Sequence, residues 1–190
     1  LMAFFFILGP PATAWGKKDK IAKGLAHQKE SRRTAEQVFA NAGAAALIAL
    51  AALLYDPEKE MFELMLAAVF SSATADTVSS ELGNVYGKRF YNILTFKRDS
   101  KGLDGVVSSE GTLAGLAGSL IIAAIFSIGS GWNTGAFFTI LIAGTVGNLS
   151  DSLLGAALER KGKLNNNSVN FLNTVIAALA AALLYVVFTL

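Results

Sequence analysis

The chain has no cysteine, one histidine and few charges for its 190 residues. Without cysteine there are no disulfides, no thiolate metal site and no cysteine nucleophile. His27, standing alone, argues against a histidine-built zinc site and against a Ser-His-Asp triad. Charged residues make up 16% of the chain, where a soluble domain carries about 25%. In their place the chain is 53% hydrophobic, with a mean hydropathy of +0.50. This is the composition of a multispanning membrane protein. The net charge of +2 says little, but where the charges sit says a great deal.

The chain opens inside the apolar run 1–8, with no basic region before it and no small-residue cleavage site after it. It does not read as a signal peptide. It is expected to be the end of a spanning helix, with the natural protein starting earlier. Six apolar segments follow one another at 1–15, 38–55, 62–83, 111–130, 135–158 and 169–190. All but the first are long enough to cross a hydrocarbon core of ~30 Å as a helix. In lipid only helices and closed barrels satisfy their own backbone, and runs this rich in Ala and Leu are helices. The expected fold is all-α: one polytopic transmembrane helix bundle of six helices covering 1–190.

The cations order these segments. Seven lie in the first connection (Lys17, Lys18, Lys20, Lys23, Lys29, Arg32, Arg33), and five in the third (Lys88, Arg89, Lys97, Arg98, Lys101). Arg160, Lys161 and Lys163 lie in the fifth, and only Lys59 lies elsewhere. Basic residues in alternate connections follow the positive-inside rule. Loops 16–37, 84–110 and 159–168 are therefore expected on the cytoplasmic side of the cell's inner membrane. The opposite connections are short, so any chemistry belongs to the bundle and its cytoplasmic loops.

Two of the helices carry acid into the apolar run. The third is apolar up to Phe70, Glu63 at its start apart, and further on reads Ala73-Thr74-Ala75-Asp76-Thr77-Val78-Ser79-Ser80-Glu81-Leu82-Gly83. Asp76, Ser79, Ser80 and Gly83 share one helical face, and Thr77 and Glu81 the adjoining one. The fifth repeats the design with Gly144, Gly147, Asn148, Asp151, Ser152 and Gly155, then Glu159. Ionisable residues within spans are costly and mark functional sites by default. Asp76 and Asp151, on helices running the same way and at matching depth, suit Mg²⁺, which takes carboxylate oxygens and keeps water and phosphate as its other ligands. The plainer reading is that each Asp only bonds neighbouring hydroxyls and pins helix packing.

Asn41 stands with Arg33 and Gln37 at i+4 steps, and Asn166, Asn170 and Asn173 share one face of the last span. Asn165 to Asn167 also suit ordinary helix caps. Loop 84–109 interleaves its cations with Tyr86, Phe90, Tyr91 and Phe96. It then closes on Ser108-Ser109-Glu110-Gly111-Thr112, where a serine can cap the fourth span. Helix-start N–H groups beside basic residues make a phosphate cradle. A basic loop meeting anionic lipid heads is the simpler alternative. Gly83-Asn84-Val85-Tyr86-Gly87-Lys88-Arg89 falls short of a P-loop, with one residue too few between glycines and Arg89 where Ser or Thr is needed. Gly111, Gly115 and Gly118 read as a close helix-packing face.

Five motifs, in order, carry a resemblance over essentially the whole chain. They are Arg33-x-x-x-Gln37-Val38-x-Ala40-Asn41, Ala75-Asp76-Thr77-x-x-Ser80-Glu81-Leu82-Gly83, Asp104-Gly105-Val106-Val107-Ser108 with Glu110-Gly111-Thr112-x-Ala114-Gly115, Asp151-Ser152-Leu153-Leu154-Gly155-Ala156, and Asn166-Asn167-x-Val169-Asn170. Together they resemble the integral membrane family that includes phytyl-phosphate kinase, and more loosely the dolichol and phytol kinases and CDP-diacylglycerol synthase. The family usually has Asp-Gly-Gly-Val-Ser where this chain has Asp104-Gly105-Val106-Val107-Ser108.

The resemblance implies a CTP- and Mg²⁺-dependent kinase that phosphorylates a prenyl monophosphate, of phytyl or geranylgeranyl type, at the cytoplasmic membrane face. On that reading Asp76 and Asp151 hold Mg²⁺, with Glu81 a third ligand or an orienting partner. Lys88, Arg89, Lys97 and Lys101 clamp phosphate oxygens, and Ser109, Glu110, Gly111 and Thr112 lie at the helix-start donors. Asn41, Asn166 and Asn170 meet base, ribose or acceptor phosphate. The partners are CTP or another NTP, the prenyl phosphate and membrane lipids; nucleic acid is not among them, and a homodimer is left open. Alternatives are a prenol kinase, a CTP-dependent cytidylyltransferase on a lipid phosphate and, from another class, an ion-coupled transporter.

Overall fold

The computed structural model describes residues 35–55 and 59–189. Among them are five helices long and apolar enough to cross a membrane, in place of the six expected. The segment 1–15, expected to be the first, lies outside the described residues. The helices are α1 (Ala35–Leu54), α2 (Lys59–Tyr86), α3 (Ser109–Gly129), α4 (Thr134–Leu154) and α5 (Asn166–Thr189). One wide π-helical turn, Gly155–Glu159, prolongs α4. Between α2 and α3 two short strands, β1 (Tyr91–Asn92) and β2 (Val106–Val107), pair antiparallel. The protein is a helical, multi-pass integral membrane protein.

The centre is α2, which packs against all four other helices. Its residues from Ala67 to Ala75 are buried without a break. They are mostly small, so neighbouring backbones come close, which is how helices associate where lipid is as apolar as leucine. The partners answer with glycine. A methyl at Gly118 would stand 3.2 Å from Ala75 Cα, and one at Gly83 would stand 3.0 Å from Gly111 Cα. Gly111, Gly115 and Gly118 thus form the expected packing face of α3, laid along α2. Large apolar side chains point the other way: Leu47 and Leu50 on α1, Leu113 and Leu120 on α3, and Leu179 and Leu183 on α5 are exposed. This inversion, small residues inside and leucines outside, is that of a protein solvated by lipid.

Polar side chains shape the helix ends. Ser108 caps α3, its hydroxyl accepting from Gly111 N at 3.1 Å. Asn133 caps α4 in the same way, accepting from Ala136 N at 3.0 Å. At α5, Asn165 Oδ1 accepts from Ser168 N at 2.8 Å, so the first asparagine of that run is an ordinary cap. At the far end of α4 the Gly155 N–H is shared between the carbonyls of Asp151 and Ser152, where the helix widens into its π turn. Such turns occur often at functional sites.

Candidate functional site

Helix register brings the two aspartates together. A methyl placed on Gly147 of α4 would overlap Ser72 of α2 and lie 2.8 Å from Ala177 Cβ of α5, so these three positions form one crowded layer. One helical turn, about 5.4 Å, toward the basic loops brings Asp76 on α2, Asp151 on α4 and Asn173 on α5 to the next layer. There Asn173 Nδ2 donates to Asp151 Oδ1 at 2.7 Å, while its own Oδ1 accepts from Ser72 Oγ at 3.2 Å. The Asp76 side chain lies within hydrogen-bonding reach of Asp151. Two carboxylates that close hold either a shared proton or a cation between them.

Two further acids rim the pair. Asp104, in the loop ahead of β2, and Glu159, on the π turn, stand close enough to Asp151 for their charges to act on it or on each other. Gly105 puts Asp104 there. Its φ of +69° is the left-handed region, and any side chain on it would overlap the backbone and methyl of Ala156. From the other side, a methyl on Gly155 would stand 3.0 Å from Gly105 N and 3.6 Å from Asp104 Cβ. The loop is pressed onto the π turn backbone to backbone. Asn166 bonds the Glu159 carboxylate and accepts from Asn170 Nδ2 at 3.3 Å, continuing the polar line along α5.

The remaining sequence-predicted residues fall elsewhere. Glu81 is partly buried on α2, five residues beyond Asp76 and so about 140° round the helix. The Lys88 backbone N–H and its ammonium meet the Glu110 carboxylate, which also bonds its own N–H and accepts from Ser109 Oγ at 3.1 Å. Thr112 Oγ1 donates to Ser108 O at 3.0 Å. The start of α3 is thus lined by the protein's own groups, the Glu110 carboxylate foremost. Arg89 and Lys97 are exposed, and Lys101 lies 5.5 Å from the Phe90 ring centroid. Asn41, buried on α1, donates to Gln37 O at 2.8 Å, a bond within its own helix.

Asp104, Glu159 and Asn173 complete the neighbourhood of the pair. Sequence reasoning did not place them in it, although Asn173 shares a helical face with Asn166 and Asn170. Among the described residues no three His, Asp or Glu side chains converge tightly enough to bind a metal on their own. The donor set fits Mg²⁺ all the same. Two facing carboxylates would supply the anionic ligands, and such an ion keeps waters and substrate phosphates for the rest.

An ion pair ties the loop to the bundle. Arg160 donates to both carboxylate oxygens of Asp99, at 2.5 and 3.3 Å. These bonds, then that of the Ser100 N–H, hold Asp99 down to about 2, and Asp99 in turn raises Arg160. A carboxylate depressed on folding contributes above its unfolded value and is lost as pH falls through its folded one. Docking of the loop should therefore be unchanged from about pH 5 upward and weaken only as the pH drops toward 2. At neutral pH Arg160→Gln should expose loop 84–108 to limited proteolysis severalfold faster, and unchanged cleavage would show that the pair holds nothing.

A lipid-facing bundle with a carboxylate pair sunk two to three turns below its basic loops defines a class: polytopic membrane proteins with paired acids buried toward one face. Within that class, the chain belongs to the family described as integral membrane protein DUF92, whose model matches residues 1–178. It is 38% identical to an uncharacterized membrane protein of Synechocystis over 95% of this chain and 70% of that protein. To the chloroplastic protein VTE6 of Arabidopsis thaliana it is 31% identical over 97% of this chain and 57% of that protein. An uncharacterized membrane protein of Methanocaldococcus jannaschii is 36% identical over 97% of this chain and 75% of its own length. The chain thus spans little more than half of the Arabidopsis relative. No solved structure matches it.

Proposed function

We propose that this chain is a phosphotransferase that uses CTP and Mg²⁺ to convert a prenyl monophosphate to the diphosphate at the cytoplasmic face of the cell's inner membrane. The observation that carries the reading is the meeting of Asp76 and Asp151 from separate helices, with Asn173 fixing one of them. The kinship supports it, since the motifs that resemble the phytyl-phosphate kinase family supply Asp76 and Asp151. The acceptor already has a nucleophilic oxygen, so the protein needs no strong base and works by positioning and charge neutralisation.

In the reaction an oxygen of the prenyl phosphate attacks the γ-phosphorus, the bond from that phosphorus to the β-bridging oxygen breaks, and CDP leaves with the electron pair. Mg²⁺, when bound, neutralises the phosphate oxygens of the nucleotide. Asp76 and Asp151 are the residues that would hold it, and Asn173 keeps Asp151 turned toward Asp76. Lys88 and Arg89, at the mouth of the bundle, attract the nucleotide. The prenyl tail stays between the leucine-lined outer faces of the helices and lipid.

Vesicles containing the protein, given phytyl or geranylgeranyl phosphate and γ-labelled CTP, should place the label on the lipid. Label released as pyrophosphate would mean attack at the α-phosphorus and a cytidylyltransferase instead. Unreacted label with every prenol and prenyl phosphate, and with each NTP, would sink the phosphotransferase reading.

A further inference from the structure

The loop between α2 and α3 has a tip that costs the protein more than it returns. Asn92 builds the turn. Its Oδ1 accepts from Leu94 N and Thr95 N at 3.0 and 3.1 Å, its carbonyl accepts from Phe96 N at 2.8 Å, and its own N–H donates to Lys97 O at 2.9 Å. Closing the turn puts Phe96 at φ 54°. The other described left-handed positions, 102, 105, 131 and 162, all hold glycine, so Phe96 alone bears that strain with a side chain. Its ring is nevertheless 80% exposed, and Leu94 beside it 47%. An aromatic ring placed where glycine or asparagine fits best, and given no cover by the protein, points to something outside it.

We infer that this tip is a lipid anchor: Phe96 and Leu94 enter the head-group layer of the bilayer that holds the helices, and Lys97 and Arg98 meet the phosphates of anionic lipids. Three observations select a lipid surface over a protein partner. The root of the loop is pinned where helices end, because Asp99 bonds Arg160 one residue past the π turn and Gly105 lies on Ala156. Leu94 and Phe96 are five and three residues from Asp99, so the chain holds them within about 10–18 Å of that level. Next, apolar side chains followed directly by two exposed cations are the pattern that interfacial segments use on anionic leaflets. Finally, the apolar patch is two or three side chains, far below the area a stable protein contact buries.

The anchor has a mechanical consequence for the site. Ile93 N donates to Gly105 O at 3.0 Å, so the tip is bonded directly to the residue that seats Asp104 beside Asp151. Lipid at the tip steadies that seat. This inference does not depend on which phosphoryl or nucleotidyl transfer the site performs.

The absence of cysteine makes the test clean. Phe96→Cys, Leu94→Cys and Ser100→Cys each give the full chain a single attachment point for a nitroxide. The proteins are reconstituted into phosphatidylcholine vesicles with and without phosphatidylglycerol. Relaxation by oxygen, which concentrates in the bilayer, is compared with relaxation by a water-soluble nickel chelate. Labels at 94 and 96 should favour oxygen severalfold more than the label at 100. The preference should shrink without phosphatidylglycerol, or when Lys97→Gln and Arg98→Gln are added. Equal access of nickel at 94, 96 and 100 would put the tip in water and overturn the anchor. Shielding of 94 and 96 from both reagents would mean a protein contact, such as a second copy, and overturn it as well. An oxygen preference indifferent to lipid charge would overturn the part given to Lys97 and Arg98.

Discussion

Asp151→Asn and Asp76→Asn should each lower turnover at least ~10³-fold, about 4 kcal/mol of transition-state stabilisation, while the protein inserts and folds as before. Asparagine keeps the shape of aspartate and still offers an Oδ1 to Asn173 Nδ2, so the link from α4 to α5 survives. What disappears is one of the two negative charges that, on the proposed reading, would hold the cation. Removing it also relieves the repulsion between two facing carboxylates, so the thermal midpoint should stay level or rise. That combination separates the two readings of the pair. Acids that merely pin helices would leave activity near normal and shift only the melting curve, whereas metal-holding acids lose turnover without losing stability. Turnover in vesicles and a melt of the purified protein, run on the same variants, decide it.

Gly105→Ala should lift the loop from the bundle and lower turnover ~10- to 100-fold. The new methyl would occupy the space of Ala156 Cβ and its backbone. Overpacking of this kind costs about 1–3 kcal/mol, and a left-handed φ adds roughly 1–2 kcal/mol. Gly162→Ala is the control. It has nearly the same dihedral, φ +68°, but nothing within 4 Å of the new methyl, so it carries the conformational cost without the collision. If both variants lose the same stability and keep the same activity, contact between Gly105 and Ala156 contributes nothing to the site. If only Gly105→Ala loses turnover and opens loop 84–108 to protease, the seat of Asp104 is set by that contact.

Much of the fold was legible before any coordinates. Five of the apolar runs become helices within a few residues of their expected ends, because hydropathy over about twenty residues is a property of the segment alone. The capping serine and the glycine face of α3 were legible for the same reason: both are read from neighbours along one helix. The two-stranded hairpin was not. Its strands are two residues each, too short for any alternation to register, and they pair across the thirteen residues 93–105, which carry Phe96 near their start. The site was half legible. Asp76 and Asp151 stood out as charge in apolar runs. Glu81 stood out equally, and the turn of the helix sets it about 140° round from Asp76.

The sequence by itself determined the class of protein, its described spans, the alternation of its basic connections and the presence of two aspartates within apolar runs. Each follows from local composition, since a segment's transfer into lipid depends on its own side chains. Only the tertiary structure decided that Asp76 touches Asp151, that Asn173 holds it, and that Asp104 and Glu159 stand at its rim. Those facts depend on the register between helices, which small residues far apart in the chain set by how closely they let backbones approach: Ser72 on Gly147, Ala75 on Gly118 and Gly105 on Ala156. A hydropathy pattern does not record register. The contact of one backbone with another does.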